Sequence, residues 1–183
     1  TVDSFKNHPI PEDLSFLKGD YNEHYADYLS AINRIDYNIK VLVEKLKAMG
    51  IYDDTVIVFT SDHGCHFKTR NLEYKRSCHD SSIHIPLTIF GGGIDGGKTD
   101  GRLVSLIDLP ATLLSVAGIE VPVHFKGNNL FEDTSRDAVY IQISESQCAR
   151  SIRTKDYKYS VAVPGYLAGV TLDSSPVYME AYL

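Results

Sequence analysis

The residues best suited to chemistry follow a short apolar run in the first third of the chain. Asp62, His63 and Gly64 follow Thr55–Thr60, which reads Thr-Val-Ile-Val-Phe-Thr, with only Ser61 between. A carboxylate and an imidazole beyond the end of a buried strand can converge on one cation, because ligands of open α/β sheets collect there. Gly64 lets the backbone turn sharply. The same three residues also suit a solvated Asx-type turn, so a metal site and a plain turn both stay open.

Basic residues follow in the loop after this turn. Lys75 lies thirteen residues after Asp62, and Pro86 lies eleven residues after Lys75. A lysine ammonium here could offset the charge of an anionic substrate, or it could be an ordinary exposed lysine. His66 and Arg70 could line a substrate entrance, because loops at this edge of a sheet carry specificity. A solvated basic loop is the alternative.

The three cysteines leave the redox compartment open, because an odd and low count makes no disulfide framework. The pairs Cys65-His66 and Cys78-His79 raise a zinc site as an alternative. Structural zinc sites favour paired ligands two to four residues apart, so packing of small side chains in a folded loop is the better interpretation.

Two helices and two strands must position these side chains. Apolar residues at intervals of three and four predict a long amphipathic helix, roughly Asn22–Met49, that ends at Gly50. Thr55–Thr60 is predicted as a buried strand of the parallel type, and Ile85–Phe90 as a second strand. A further helix is expected with Asp108 as its N-cap, Pro110 in its first turn, Gly118 as its stop, and three inward residues, Leu113, Leu114 and Val116.

The last third of the chain changes character. Ala138–Ser144, Ala149–Thr154 and Tyr157–Val163 alternate between apolar and polar residues and predict an antiparallel hairpin or small sheet. The part of the chain before this last third alternates as helix, strand, loop, strand and helix, which is an α/β pattern. The predicted fold is therefore α/β, with a small antiparallel β region at the C-terminal end.

The composition excludes several classes of protein. The 183 residues include 18 Lys and Arg against 24 Asp and Glu, which gives a formal charge of −6. Hydrophobic residues make up 43% and charged residues 23%, as in ordinary globular domains, which excludes disordered, collagen-like and disulfide-dense chains. No apolar run approaches the roughly 20 residues of a membrane span. The mild acidity disfavours a nucleic-acid partner. No targeting signal is visible after Thr1.

Several ordered motifs together resemble the sulfatase family of the alkaline phosphatase superfamily. They are Ser61–Gly64 after a strand, Lys75, and the strand entry Ser81–Leu87, at the spacing of that family. Tyr28–Met49 and Leu106–Ile119 are similar to two of its helices. The resemblance covers roughly residues 20–130 and implies a partial alkaline-phosphatase-like mixed sheet with flanking helices. One departure is His84, where the family usually has arginine.

The resemblance implies a role for each candidate residue. Asp62 and His63 would be ligands of a divalent cation, usually Ca²⁺, with Mg²⁺ or Mn²⁺ as alternatives and zinc conceivable. Lys75 would contact the sulfate oxygens and stabilise the charge that develops on them. His66 and Arg70 would be substrate-binding residues.

The family's nucleophile motif is missing. Formylglycine arises from the Cys or Ser of Cys/Ser-x-Pro-x-Arg, and the nearest match, Ser174–Tyr178, ends in tyrosine. The resemblance therefore implies the C-terminal portion of a longer chain. Residues 1–130 would be the C-terminal half of the catalytic domain, and 131–183 the start of a small β subdomain. The partner would be the missing N-terminal half, and this portion alone is expected to be inactive.

Three functions stay open at this point. The first is a metal-dependent sulfuric ester hydrolase acting on a sulfated small molecule or carbohydrate. The second is a phosphodiesterase, phosphonate hydrolase or phosphoethanolamine-type transferase of the same superfamily. Many of these have a metal-ligating histidine in the place of Lys75, so the lysine favours sulfate. The third is a non-catalytic metal-binding remnant. A periplasmic or secreted location would suit the full-length protein, although the sequence does not decide the compartment.

Overall fold

The computed structural model describes residues 2–15, 17–70, 73–143 and 149–162. The described residues up to Lys98 form one compact unit, and those from Thr99 form a second. The helices and strands, in chain order, are α1 (Glu12–Ser15), α2 (Tyr21–Ala48), β1 (Val56–Thr60), α3 (Asp80–Ile83), β2 (Leu87–Gly91), α4 (Asp108–Val116), β3 (Val139–Ile143), β4 (Ala149–Arg153) and β5 (Lys158–Ala162). The α/β fold class is confirmed, and the predicted boundary between residues 130 and 131 stays a prediction.

Helix α2 confirms the long helix predicted from the apolar spacing. It has 28 residues and is about 42 Å long. It ends at Ala48, and Gly50, two residues later, has a φ of 69°, the left-handed conformation that glycine adopts after a helix. Many of the apolar side chains that form a stripe along α2 are exposed in this chain. Ile32, Ile35 and Leu42, for example, expose 44–50% of their surface. None of the described helices is long and apolar enough to cross a membrane.

Strands β1 and β2 form a two-stranded antiparallel sheet. The register pairs Val56 with Gly91 and Thr60 with Leu87. The prediction of a parallel-type strand was therefore wrong for the pairing seen among the described residues. A continuous run of β-branched residues indicates that both faces of a strand are apolar. It does not indicate the direction of the neighbouring strand.

Helix α4 begins one residue earlier than predicted, with Ile107 as its N-cap and Asp108 inside its first turn. The prediction of Asp108 as N-cap was wrong because its carboxylate binds residues outside the helix. The inward face was also wrong for Leu113 and Val116, which are 47% and 40% exposed, whereas Ala111 and Thr112 are buried. A short helix with apolar residues all round does not reveal from its sequence which face is covered.

Strands β3, β4 and β5 form a three-stranded antiparallel sheet in the order β3-β4-β5. This confirms the alternating pattern of the last third of the chain. Ser144 and Val163, which end two of the predicted strands, lie outside the described residues. The turn between β4 and β5 closes through the backbone N–H of Thr154, which donates to the carbonyl of Tyr157 at 2.8 Å.

Candidate active site

The exit of β1 is fastened to the entry of β2. The Thr60 hydroxyl donates to the Pro86 carbonyl at 2.8 Å. The backbone N–H of Gly64 donates to the Ser82 carbonyl at 2.7 Å. A Cβ at Gly64 would lie 2.1 Å from the Ser81 carbonyl oxygen, so only glycine fits this close approach. The residues after β1 are therefore held rigidly against the segment that leads into β2.

His63 is oriented by two hydrogen bonds, one at each ring nitrogen. Nδ1 lies 2.9 Å from the Gly64 carbonyl oxygen, and Nε2 lies 2.8 Å from Nζ of Lys75. A carbonyl oxygen only accepts hydrogen bonds, so Nδ1 carries the proton. In the neutral ring Nε2 then has a free lone pair, which accepts a hydrogen bond from the Lys75 ammonium. The loop thus brings together two residues that are twelve positions apart.

Asp62 completes the cluster. Its Oδ1 accepts the backbone N–H of the next residue, His63, at 3.0 Å, whereas the N–H of Gly64, which an Asx-type turn would use, donates to Ser82. Its Oδ2 lies 3.4 Å from Nε2 of His63, and the side chain is 83% exposed. Slight desolvation raises the pKa of Asp62, but His63, nearby backbone N–H groups and Lys75 outweigh it and lower that pKa. The carboxylate therefore stays ionised over a wide range of pH.

The donor geometry of Asp62 and His63 fits a divalent cation. Two ligands at about 2.3–2.6 Å from one Ca²⁺ and at a right angle stand about 3.3–3.7 Å apart, and Oδ2 and Nε2 are separated by 3.4 Å. A metal-ligating histidine usually donates its other N–H to a carbonyl or carboxylate, as Nδ1 does to Gly64. The described residues include no group of three or more His, Cys, Asp or Glu side chains that could hold a metal. Asp62 and His63 are therefore two candidate ligands, and metal binding by them stays a prediction.

The two predicted substrate residues lie in the same loop but differ in exposure. His66 is fully buried, and neither ring nitrogen has a hydrogen-bond partner. Burial lowers the pKa of His66, so its ring is neutral at pH 7. Arg70 is half-buried. The described structure thus places the His66 ring away from solvent, and substrate binding by both residues stays a prediction.

The cysteines in this loop do not form the zinc site considered above. Cys65 is half-buried, Cys78 is buried, and neither is in a disulfide. Burial raises the pKa of the Cys65 thiol, which favours the uncharged form. Together with the absence of a three-residue ligand cluster among the described residues, this supports packing rather than metal binding. Cys148 lies outside the described residues.

A second polar cluster beside this loop was missed from the sequence. The Tyr74 hydroxyl donates to Oδ2 of Asp20 at 2.5 Å, across 54 positions of the chain. The Lys68 ammonium lies 3.0 Å from the same oxygen and 4.9 Å from the centre of the Tyr74 ring. An aspartate at the start of a helix suggests an ordinary N-cap, and no local pattern pointed to Tyr74.

Comparison with known proteins assigns the chain to a family. The family model described as Sulfatase matches residues 3–119, which contain Asp62, His63 and Lys75. The chain belongs to the sulfatase family. Arylsulfatase K of Bos taurus is 30% identical over 136 residues, covering 70% of this chain and 25% of that protein. An N-acetylglucosamine-6-O-sulfatase of Bacteroides thetaiotaomicron is 30% identical over 154 residues, covering 75% of this chain and 28% of that protein.

A solved structure supports the same assignment. It is a protein in complex with its substrate, D-glucosamine-2-N,6-O-disulfate. It is 25% identical to this sulfatase-family chain, has a TM-score of 0.65, and the match covers 97% of this chain and 39% of that one. The chain spans about a quarter of the length of the curated relatives it matches.

Proposed function

We propose that this chain supplies part of the active site of a metal-dependent sulfuric ester hydrolase. One observation carries the proposal: the ammonium of Lys75 lies 2.8 Å from Nε2 of His63, and that nitrogen lies 3.4 Å from the Asp62 carboxylate. Two candidate metal ligands and a cationic donor thus meet at the exit of β1. This is the combination that an anionic ester needs, because one group binds the metal and the other binds the anion.

Asp62 and His63 would hold the divalent cation. Ca²⁺ is the expected ion, with Mg²⁺ or Mn²⁺ as alternatives, and the imidazole suits Mn²⁺ better than it suits Ca²⁺. When bound, the cation would polarise the oxygens of the sulfate group. The hydrogen bond from Nδ1 to the Gly64 carbonyl would keep the lone pair of Nε2 directed at the ion.

Lys75 would be the residue that contacts the sulfate. Its ammonium offers three N–H donors, one of which Nε2 of His63 accepts in this structure. Because a cation on Nε2 would take that lone pair, its binding would release the bond to His63, and the ammonium could then donate to sulfate oxygens and stabilise the charge that develops there as the ester bond breaks. Arg70 would contribute to substrate binding from the same loop, and His66, whose ring is fully buried, would contribute through the packing of that loop rather than by direct contact.

A sulfated carbohydrate is the substrate class that the relatives favour. One relative is an N-acetylglucosamine-6-O-sulfatase, and one structural neighbour was solved with a disulfated glucosamine. We therefore propose a sugar sulfate rather than a phosphate ester for this chain. Lys75 in place of a further metal-ligating histidine agrees with that choice.

This chain is proposed to be inactive without further sequence. Its 183 residues contain no Cys/Ser-x-Pro-x-Arg motif from which a formylglycine nucleophile could arise. An upstream half of the same protein would supply the nucleophile and the remaining metal ligands. The exposed apolar stripe of α2 supports a covering segment, because contiguous exposed apolar surface marks an interaction site.

The test compares the isolated chain with a longer protein that contains it. The isolated chain should release no product from an aryl sulfate. In the longer protein, Lys75→Met should lower kcat about 10²–10³-fold, as expected when one electrostatic donor is removed. Lys98→Met is the matched control, because the Lys98 side chain is 75% exposed and pairs only with Asp95 among the contacts described.

Three outcomes would contradict the proposal. Turnover of an aryl sulfate by the isolated chain would show that the upstream half is not needed. Faster turnover of an aryl phosphate than of the matched aryl sulfate by the longer protein would favour the phosphodiesterase class. Ca²⁺ binding without turnover of either ester would favour the non-catalytic remnant.

A further inference from the structure

The carboxylate of Asp20 is directed away from the helix that it precedes. Asp20 occupies the N-cap position of α2 but makes no side-chain capping hydrogen bond. Its Oδ2 instead accepts the hydroxyl of Tyr74 at 2.5 Å and lies 3.0 Å from Nζ of Lys68. Aspartate is among the most favourable N-cap residues. Asp20 therefore does not stabilise the start of α2 as a cap. Its side chain instead bonds to Tyr74 and Lys68, which lie in the same loop as Lys75.

Tyr74 immediately precedes Lys75 and is held at two points. Its hydroxyl is bound to Asp20, and its backbone carbonyl accepts the N–H of His66 at 2.7 Å. Adjacent Cα atoms are about 3.8 Å apart, so fixing residue 74 fixes the base of the Lys75 side chain.

The turn that contacts Tyr74 has an unfavourable backbone. The N–H of Thr69 donates to the carbonyl of His66 at 2.9 Å, and the two residues between them, Phe67 and Lys68, have φ of 49° and 58°. Positive φ at both central positions is the type I′ geometry, which usually requires Asn or Gly. Bulky residues persist in this conformation only where the surroundings hold them.

The start of α2 provides that support. The Phe67 ring meets the rings of Tyr25 and Tyr28 edge to face, at centroid distances of 5.7 and 5.3 Å. The Phe67 carbonyl accepts the backbone N–H of Asp20 at 3.0 Å. The helix start, the strained turn and Tyr74 therefore form one connected structure that ends beside Lys75.

We propose that Asp20 and Tyr74 are positioning residues for Lys75. A lysine ammonium sits on a flexible four-carbon stem, so its place at 2.8 Å from Nε2 of His63 requires a fixed backbone at its base. The hydrogen bond between Tyr74 and Asp20 supplies that fixed point. The benefit for sulfate binding rests on the proposed function, whereas the immobilisation of Lys75 does not.

The experiment measures the order of the lysine side chains in the full chain by NMR relaxation at Cε. Lys75 should be clearly more ordered than Lys98, whose side chain is 75% exposed. Tyr74→Phe removes only the hydroxyl and keeps the ring under Lys68, and it should reduce the order parameter of Lys75 to that of Lys98. Tyr140→Phe is the matched control, because Tyr140 is 80% exposed and lies in the other unit.

Variants of Asp20 separate positioning from general stability. Asp20→Asn keeps an oxygen that can accept the Tyr74 hydroxyl and should retain most of the Lys75 order, whereas Asp20→Ala should lose it. The proposal is overturned if Lys75 keeps its order in Tyr74→Phe, if it is as mobile as Lys98 in the wild type, or if Asn and Ala behave alike in folded protein. A titration with inorganic sulfate read at Lys75 tests the proposed function separately, because an ordered Lys75 that ignores sulfate would contradict only that function.

Discussion

Replacement of Gly64 by alanine should damage the site through the backbone. Gly64 follows the proposed ligand His63, and its N–H donates to the Ser82 carbonyl at 2.7 Å. A Cβ at this position would lie 2.1 Å from the Ser81 carbonyl oxygen, where real Cβ atoms essentially never come closer than 3.0 Å. The neighbouring atoms belong to backbone, so they cannot move aside as a flexible side chain would.

The expected loss of stability follows from these distances. The two segments must separate by about 0.9 Å to restore even the shortest contact, which stretches the bond from Gly64 to Ser82 past the hydrogen-bonding range. Losing that bond costs about 1 kcal/mol, and overpacking costs about 1–3 kcal/mol more. We expect Gly64→Ala to lower the free energy of unfolding by about 2–4 kcal/mol.

Urea unfolding followed by far-UV circular dichroism measures this change, since the chain has no tryptophan to report it by fluorescence. Gly96→Ala is the matched control, because a Cβ at Gly96 meets nothing within 4 Å. The control should stay within about 0.5 kcal/mol of the wild type or become slightly more stable. A Gly64→Ala protein as stable as the control would refute the packing argument for this turn.

Two further predictions concern buried ionisable groups. Asp108 is fully buried and pairs with Arg136, whose side chain is 17% exposed. Asp108→Asn should cost about 3 kcal/mol in urea unfolding because it leaves a largely buried guanidinium without its counter-charge, and a loss below about 1 kcal/mol would contradict this. Burial lowers the pKa of His66 below its usual 6.5, so below that pH the unfolded chain takes up a proton that the folded chain does not. The free energy of unfolding should therefore fall between pH 7 and pH 5, and His66 should contribute up to about 1.4 kcal/mol of that fall per pH unit. His66→Phe should reduce the fall. An identical pH dependence in the variant and the wild type would disprove the contribution of His66.

Local pattern was enough to predict the two longer helices and the strands, but not the short helices α1 and α3 or the surroundings of each element. The apolar spacing and Gly50 predicted α2 to within one residue at each end. The direction of β1 relative to β2 was wrong, because side-chain composition reports burial and not strand polarity. Asp108 was misplaced as a cap because its carboxylate accepts the backbone N–H of Asn128, twenty positions along the chain.

The site shows the same division between local and distant contacts. The spacing between Asp62 and Lys75, with the family resemblance, predicted that the two would meet, and His63 links them in the structure. The support from Asp20 could not be predicted, because its partner Tyr74 lies 54 positions away and no motif joins them. The burial of His66 is likewise a product of tertiary packing rather than of its sequence neighbours.

Paramagnetic broadening by Mn²⁺ tests the central claim most directly. In NMR spectra of the full chain, the signals of Asp62 and His63 should broaden at the lowest Mn²⁺ concentration, followed by those of Lys75. Asp53 and Asp54 provide an internal control, because this exposed acidic pair precedes β1 and lies about 20 Å away along the strand. Broadening that begins at Asp53 and Asp54 and leaves Asp62 and His63 unchanged would contradict the assignment of a metal site at the exit of β1.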